Sequence, residues 1–194
     1  MFPQHCRRFI VGRARMRQLL AGYLNCEPRD IEFQTTSLGK PSIADTPVSF
    51  NFTNSGDLAI LAVTPQLEVG IDTEELRNLS DMEGLAKRYF HPREIDIITA
   101  CDDVSEKRRQ FFRCWTRKEA VLKATGKGLS HPLDQLCVTV TENEPAKMLS
   151  IEGDAVEASH WMLQHLSPQS DYVGAIAYRA AERELALFEL SPAD

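Results

Sequence analysis

The chain has 194 residues, 43% hydrophobic and 26% charged, which excludes collagen-like, low-complexity and strongly disordered classes. A net charge of −6 excludes a general electrostatic hold on nucleic acid. The acidity is uneven: up to residue 30, Arg7, Arg8, Arg13, Arg15, Arg17 and Arg29 face only Glu27 and Asp30, so the basic start suits an anionic ligand or partner.

In chain order, residues 7–24 place Phe9, Met16, Leu19, Leu20 and Tyr23 at helical spacing, which predicts an amphipathic helix. A polar loop with Gly39-Lys40-Pro41 follows, then a strand over Val48–Phe52 whose end enters a turn at Asn51–Gly56. The apolar run Leu58–Val63 predicts a strand buried on both faces, and it is too short to span a bilayer. Thr64-Pro65 turns the chain into a strand over Leu67–Asp72. Ser80-Asp81-Met82-Glu83 has the form of a capping box, and His91-Pro92 starts another helix. A long helix is expected over 104–124, stopping before Gly126, and strands near 135–141, 160–166, 172–178 and 184–190.

Mixed blocks of strands and helices give an α+β class, with a seam near Pro65 if there are two lobes. Five cysteines (Cys6, Cys26, Cys101, Cys114, Cys137) without a CxxC pair favour reduced thiols in a cytoplasm over a disulfide framework or a zinc site.

Two segments carry chemistry. In Gly70-Ile71-Asp72-Thr73-Glu74 the period of two puts Asp72 and Glu74 on one strand face, where two carboxylates can chelate a hard divalent cation. Taken alone, the pair reads first as a polar strand face entering an acidic turn. In Trp115-Thr116-Arg117-Lys118-Glu119-Ala120-Val121-Leu122-Lys123, Phe111, Trp115 and Leu122 form an apolar stripe, with Lys118 on one flank and Glu119 and Lys123 on the other. Alone, Glu119 and Lys123 are an ordinary i,i+4 surface pair. The turn Gly126-Lys127-Gly128 could meet an anion and is equally a helix cap.

Together these segments resemble the 4′-phosphopantetheinyl transferases of the larger, surfactin-type class, whose paired signatures are Gly-Ile/Val-Asp-x-Glu and Trp-x-x-Lys-Glu-x-x-x-Lys. Gly39-Lys40-Pro41, Phe50–Gly56 and Gly126–Leu129 with Pro132-Leu133-Asp134 extend the resemblance. It implies two similar α+β lobes related by pseudo-twofold symmetry, here an N-terminal lobe at 1–65, expected to be abbreviated, and a C-terminal lobe at 66–194, with the cofactor in the cleft between them. The implied reaction moves 4′-phosphopantetheine from coenzyme A to a serine of an acyl or peptidyl carrier protein and releases adenosine 3′,5′-bisphosphate.

Carried over by residue, Asp72, Glu74 and Glu119 hold Mg²⁺ against the pyrophosphate, Lys123 contacts it, and Lys118 stands near the reacting end. Thr53 and Asn54 approach the α-phosphate; Gly39, Lys40 and Pro41 flank the adenine, and Arg8 and Lys40 are candidates for the 3′-phosphate. The serine proton goes to Glu119 or to a metal-bound water. Asn54 stands where many relatives have histidine, and Thr73 replaces an apolar residue between the acids. A cytoplasmic monomer without nucleic-acid or membrane partners is expected. The competing expectations are a non-catalytic module that binds coenzyme A or a carrier protein, and a metal-dependent phosphohydrolase.

Overall fold

The computed structural model describes residues 3–126 and 131–190, with side chains from residue 7 onward. Helix α1 (Pro3–Leu24) is followed by two short strands, β1 (Phe33–Thr35) and β2 (Pro41–Ile43), in the stretch expected to be loop. The hairpin β3 (Val48–Ser55) and β4 (Leu58–Pro65) comes next, then β5 (Val69–Glu75). Three helices follow, α2 (Met82–Tyr89), α3 (Pro92–Ala100) and α4 (Val104–Thr125). The remainder is β6 (Leu136–Val138), β7 (Met148–Ile151), α5 (Ala155–Ser159), β8 (Met162–Leu166) and β9 (Tyr172–Tyr178). All pairings are antiparallel, with β5, β9 and β8 forming a three-stranded sheet in that order. The chain is thus mixed α and β, as its pattern indicated.

Alternation along the central sheet explains its two-sided burial. On β9, Val173, Ala175 and Ala177 join the large core under α4, while Ile176 and Tyr178 face the other way. That second face is closed by Ala62 of β4 together with Val69, Ile71 and Leu166. A smaller core, Met16, Leu20, Ala21, Ile31 and Phe50, packs α1 onto the first hairpins.

Several sequence expectations change. Leu58–Val63 is not buried on both faces: β4 is paired only with β3, Ala59 is exposed and Ala62 alone is buried. The doubly covered strands are β5 and β9, because each has a core on either side. Phe9 and Tyr23 are exposed, so the stripe of α1 narrows to Met16, Leu20 and Ala21. Asp81 caps α2 without a side-chain hydrogen bond; the capping box forms instead at His91 and Glu94 of α3. Residues 184–190 run as unpaired chain, and β7 and α5 occupy a stretch not assigned from sequence. Helix α4 ends as expected at Gly126, whose φ of 71° provides the left-handed cap. Lys127 and Gly128 of the suggested anion turn lie outside the described residues.

Candidate active site

The site begins with a glycine. Gly70 and Asp72 share the face of β5 turned toward α4, and a Cβ on Gly70 would lie 2.0 Å from the Ala120 carbonyl and 2.3 Å from the Ala124 amide. With Ala175 and Ala177 beside it on β9, β5 admits the α4 backbone at close range. The approach determines which α4 residues reach the strand's acids.

Helix α4 is covered on nearly all sides, Arg113, Thr116, Arg117 and Lys118 included. Between Phe111 and Ala124 its half-open positions are Trp115, Glu119 and Lys123. They are four residues apart, so they stack along one line, at about 6 Å per step. That line borders a cleft of about 620 Å³. One end is polar, with Thr53, Asn54, Asp72, Glu74, Glu119 and Lys123; the other is lined by Tyr89, Trp115, His131, Pro132 and Leu133.

At the polar end the Lys123 ammonium donates to Asp72 Oδ1 at 2.7 Å and to Thr53 Oγ1 at 3.2 Å, and the Thr53 hydroxyl donates to the same Asp72 oxygen at 3.1 Å. Glu74 Oε2 accepts from Ser55 at 2.7 Å and from Arg77 at 2.9 Å. Asp72 Oδ2 and Glu119 Oε1 are buried and without a partner. Burial raises the Asp72 carboxyl above its ordinary value, with Lys123 opposing and Glu74 adding to the rise. Burial also raises Glu119, reinforced by the charges of Asp72 and Glu74 and opposed by Lys123. Three acids with the Lys123 ammonium and the Arg77 guanidinium leave one negative charge in excess when all are ionised, and two buried oxygens face no donor. Hard oxygen ligands in that state suit a divalent cation such as Mg²⁺. Among the described residues no three acid, histidine or cysteine groups are already drawn round one point, so a cation would have to gather these side chains and compete with Lys123.

The first hairpin reaches the central sheet through side chains. Asn51, Thr53 and Ser55 alternate on β3, and all three point at β5. Asn51 Oδ1 accepts from the Ile71 amide at 2.8 Å, Thr53 meets Asp72, and Ser55 Oγ accepts from the Glu75 amide at 3.1 Å while donating to Glu74. This comb orients both strand acids. Asn51 and Ser55 lie in the Phe50–Gly56 resemblance but had no role assigned from sequence, for which the alternation Asn51-x-Thr53-x-Ser55 was the available signal; Arg77, Tyr89 and His131 were not singled out.

The remaining expected residues sit elsewhere. Lys118 does not reach the cleft: it is completely buried and pairs with Glu94 at 2.5 Å. This corrects its placement near the reacting end, because the flank of α4 opposite Glu119 is covered by α3 and the turn before β6. Arg8, Gly39, Lys40 and Pro41 are likewise not among the cleft residues. Arg8 pairs with Asp57 at 2.5 Å. Lys40 pairs with Glu68 and donates to the carbonyls of Val69 and Ala124, both at 3.1 Å, which places its loop against the end of α4 just past Lys123.

Comparison with known proteins decides the family. Residues 68–177 match the 4′-phosphopantetheinyl transferase superfamily. The chain belongs to that superfamily. It is similar to the 4′-phosphopantetheinyl transferase HetI of Nostoc sp., with 42% identity over 180 residues covering 91% of this chain and 72% of that protein. It is also similar to the 4′-phosphopantetheinyl transferase Sfp of Bacillus subtilis, with 34% identity over 150 residues covering 72% of this chain and 65% of that protein. Among solved structures, Thermotoga maritima holo-(acyl-carrier-protein) synthase aligns with a TM-score of 0.43 and 19% identity over 60% of this chain and 65% of that one. Both family signatures fall within the matched residues. Among the described residues no helix is long and apolar enough to cross a membrane.

Proposed function

We propose that this chain transfers the 4′-phosphopantetheine group of coenzyme A to a serine hydroxyl of an acyl or peptidyl carrier protein, releasing adenosine 3′,5′-bisphosphate, in a Mg²⁺-dependent reaction. Family membership supports the reaction type. The observation that carries the site reading is the cleft in which Asp72, Glu74, Glu119 and Lys123 meet, with buried oxygens of Asp72 and Glu119 left unpartnered.

The residues divide the work by charge. In this reading Asp72, Glu74 and Glu119 hold the cation, which when bound neutralises the pyrophosphate and helps align attack on phosphorus. Lys123, whose ammonium rests on Asp72, would turn it to the pyrophosphate, and Thr53 and Asn54 would approach the α-phosphate from β3. Ser55 and Arg77 keep Glu74 oriented meanwhile. The serine oxygen bonds to phosphorus, the bond to the bisphosphate oxygen breaks, and the serine proton leaves with an acceptor. Glu119, the α4 carboxylate that lines the cleft, is the candidate acceptor. The two-lobe arrangement, divided near Pro65 with the co-substrate across the Asn51–Thr53–Ser55 comb, belongs to this proposal. So does the adenine end beside Gly39, Lys40 and Pro41, whose loop meets α4 one residue past Lys123, with Arg8 and Lys40 toward the 3′-phosphate. For Lys40 that requires releasing Glu68.

The test is incubation of the purified chain with coenzyme A, Mg²⁺ and a panel of apo carrier proteins, read by intact mass. The expected result is a gain of one phosphopantetheine on at least one carrier, lost when Mg²⁺ is removed with EDTA. Coenzyme A binding without mass gain on any carrier would overturn the transfer reading.

A further inference from the structure

The lysine of the Trp-x-x-Lys-Glu segment has a partner that no motif reveals. Lys118 and Glu94 are each fully buried, and their charged atoms are 2.5 Å apart. Lys118 Nζ also donates to the carbonyls of Leu133 at 2.9 Å and Leu136 at 2.7 Å, and lies 5.1 Å from the centre of the Phe90 ring. Its three N–H donors are therefore all used. Glu94 Oε1 accepts from the Val138 amide at 2.7 Å, and Oε2 accepts from the His91 amide at 2.9 Å. Neither side chain has a buried atom left unpartnered among the described residues. One ion pair thus joins four pieces of chain: the start of α3, the middle of α4, the turn at 133–135 and β6.

Two of those pieces are cleft walls. The turn contributes Pro132 and Leu133, and α4 contributes Trp115 and Glu119, three residues before and one after Lys118. The ammonium is spent on the Leu133 carbonyl of the other wall and the Leu136 carbonyl of β6 rather than on any group in the cleft. We propose that Lys118, with Glu94 as its counter-ion, is a positioning residue: it acts on the reaction only by holding the Pro132–Leu133 wall against α4. This rests on the transferase reading of the cleft and assigns the pair a role within it.

The physics of buried pairs makes the role testable. Removing one partner strands a buried charge, whereas replacing both leaves no charge to strand. The experiment compares Lys118→Met, Glu94→Gln and the paired Lys118→Met/Glu94→Gln chain, with Lys123→Met as a reference for a phosphate contact. Each is read by thermal melting, by calorimetric affinity for adenosine 3′,5′-bisphosphate, and by kcat and KM for coenzyme A. Lys118→Met alone is expected to melt lower and to lose activity. The paired variant is expected to regain most of the melting temperature and to recover kcat to within about threefold. Its KM for coenzyme A stays several-fold above that of the native chain, because the Leu133 carbonyl of the wall, and the Leu136 carbonyl of β6 beside it, still lack their ammonium. Bisphosphate affinity stays within about twofold of native in the paired variant and falls at least about tenfold in Lys123→Met.

Failure of the paired substitution to restore the melting temperature would overturn the ion-pair coupling. A restored melting temperature with activity still absent would overturn the positioning role and return Lys118 to direct contact with the reacting groups. An unchanged KM would overturn the link to the wall. Absence of transfer by the native chain is a separate outcome, against the transferase reading, and leaves the melting comparison to decide the coupling.

Discussion

Asp72 and Glu119 are held in a state that water alone would not favour. Each carries a buried oxygen without a donor, and burial raises both carboxyls above their ordinary range. The folded chain therefore retains protons at a pH where the unfolded chain has released them. Its stability must fall as pH rises through the window just above the ordinary carboxylate range, and increase on the acid side of it. Metal-free melts at about pH 5 and about pH 7.5 should show this contribution, and added Mg²⁺ should raise the melting temperature more at the higher pH. An equal Mg²⁺ effect at both values would count against these acids as its ligands. At the same scale, Glu119→Gln keeps the side-chain shape but removes the charge. It should lower turnover by about two orders of magnitude or more while melting within a few degrees of native, as read by carrier mass and calorimetry.

Among the elements, the contact between β5 and α4 determines whether the site exists. The sequence placed α4 closely, over 104–124 with a stop before Gly126, and the structure adds the N-cap, where Asp103 accepts from the Glu106 amide. Periodicity could not show that the open line of α4 is Trp115, Glu119 and Lys123, since that depends on what covers the other sides. The glycine that allows the approach was visible only as a letter of a motif. Gly70→Ala puts a methyl into the backbone of α4 and should cost about 1–3 kcal/mol in denaturant melts, with a disproportionate loss of turnover as Glu119 and Lys123 move from Asp72. Native stability in that variant would mean the helix can withdraw freely. The apolar run Leu58–Val63 misled for a related reason: an edge hairpin and a central strand share the same letters, and only the neighbours distinguish them.

Across the whole molecule, the first hairpin and the central sheet are joined along β3 and β5 by side chains. Asn51 is the member of this comb farthest from the acids, and it satisfies the Ile71 amide in a buried setting. Asn51→Ala strands that amide and should destabilise the chain by about 1–3 kcal/mol. Hydrogen exchange at Ile71 should rise, and the affinity for coenzyme A should weaken, because the comb orients Asp72 and Glu74 for the co-substrate. Unchanged exchange at Ile71 would show that another group satisfies it.

The sequence by itself determined the mixed α and β class, the long helix with both its ends, the two family signatures and the residue types of the candidate site. These are local properties: period, caps, and the order of chemical groups along the chain. Tertiary structure alone decided the partners. It brought Asp72 to Lys123 and Thr53, gave Lys118 to Glu94 rather than to the cleft, and turned Lys40 and Arg8 onto Glu68 and Asp57. A charged side chain pairs with whatever opposite charge packing brings within a few ångströms, and the spacing of residues in the chain does not contain that distance.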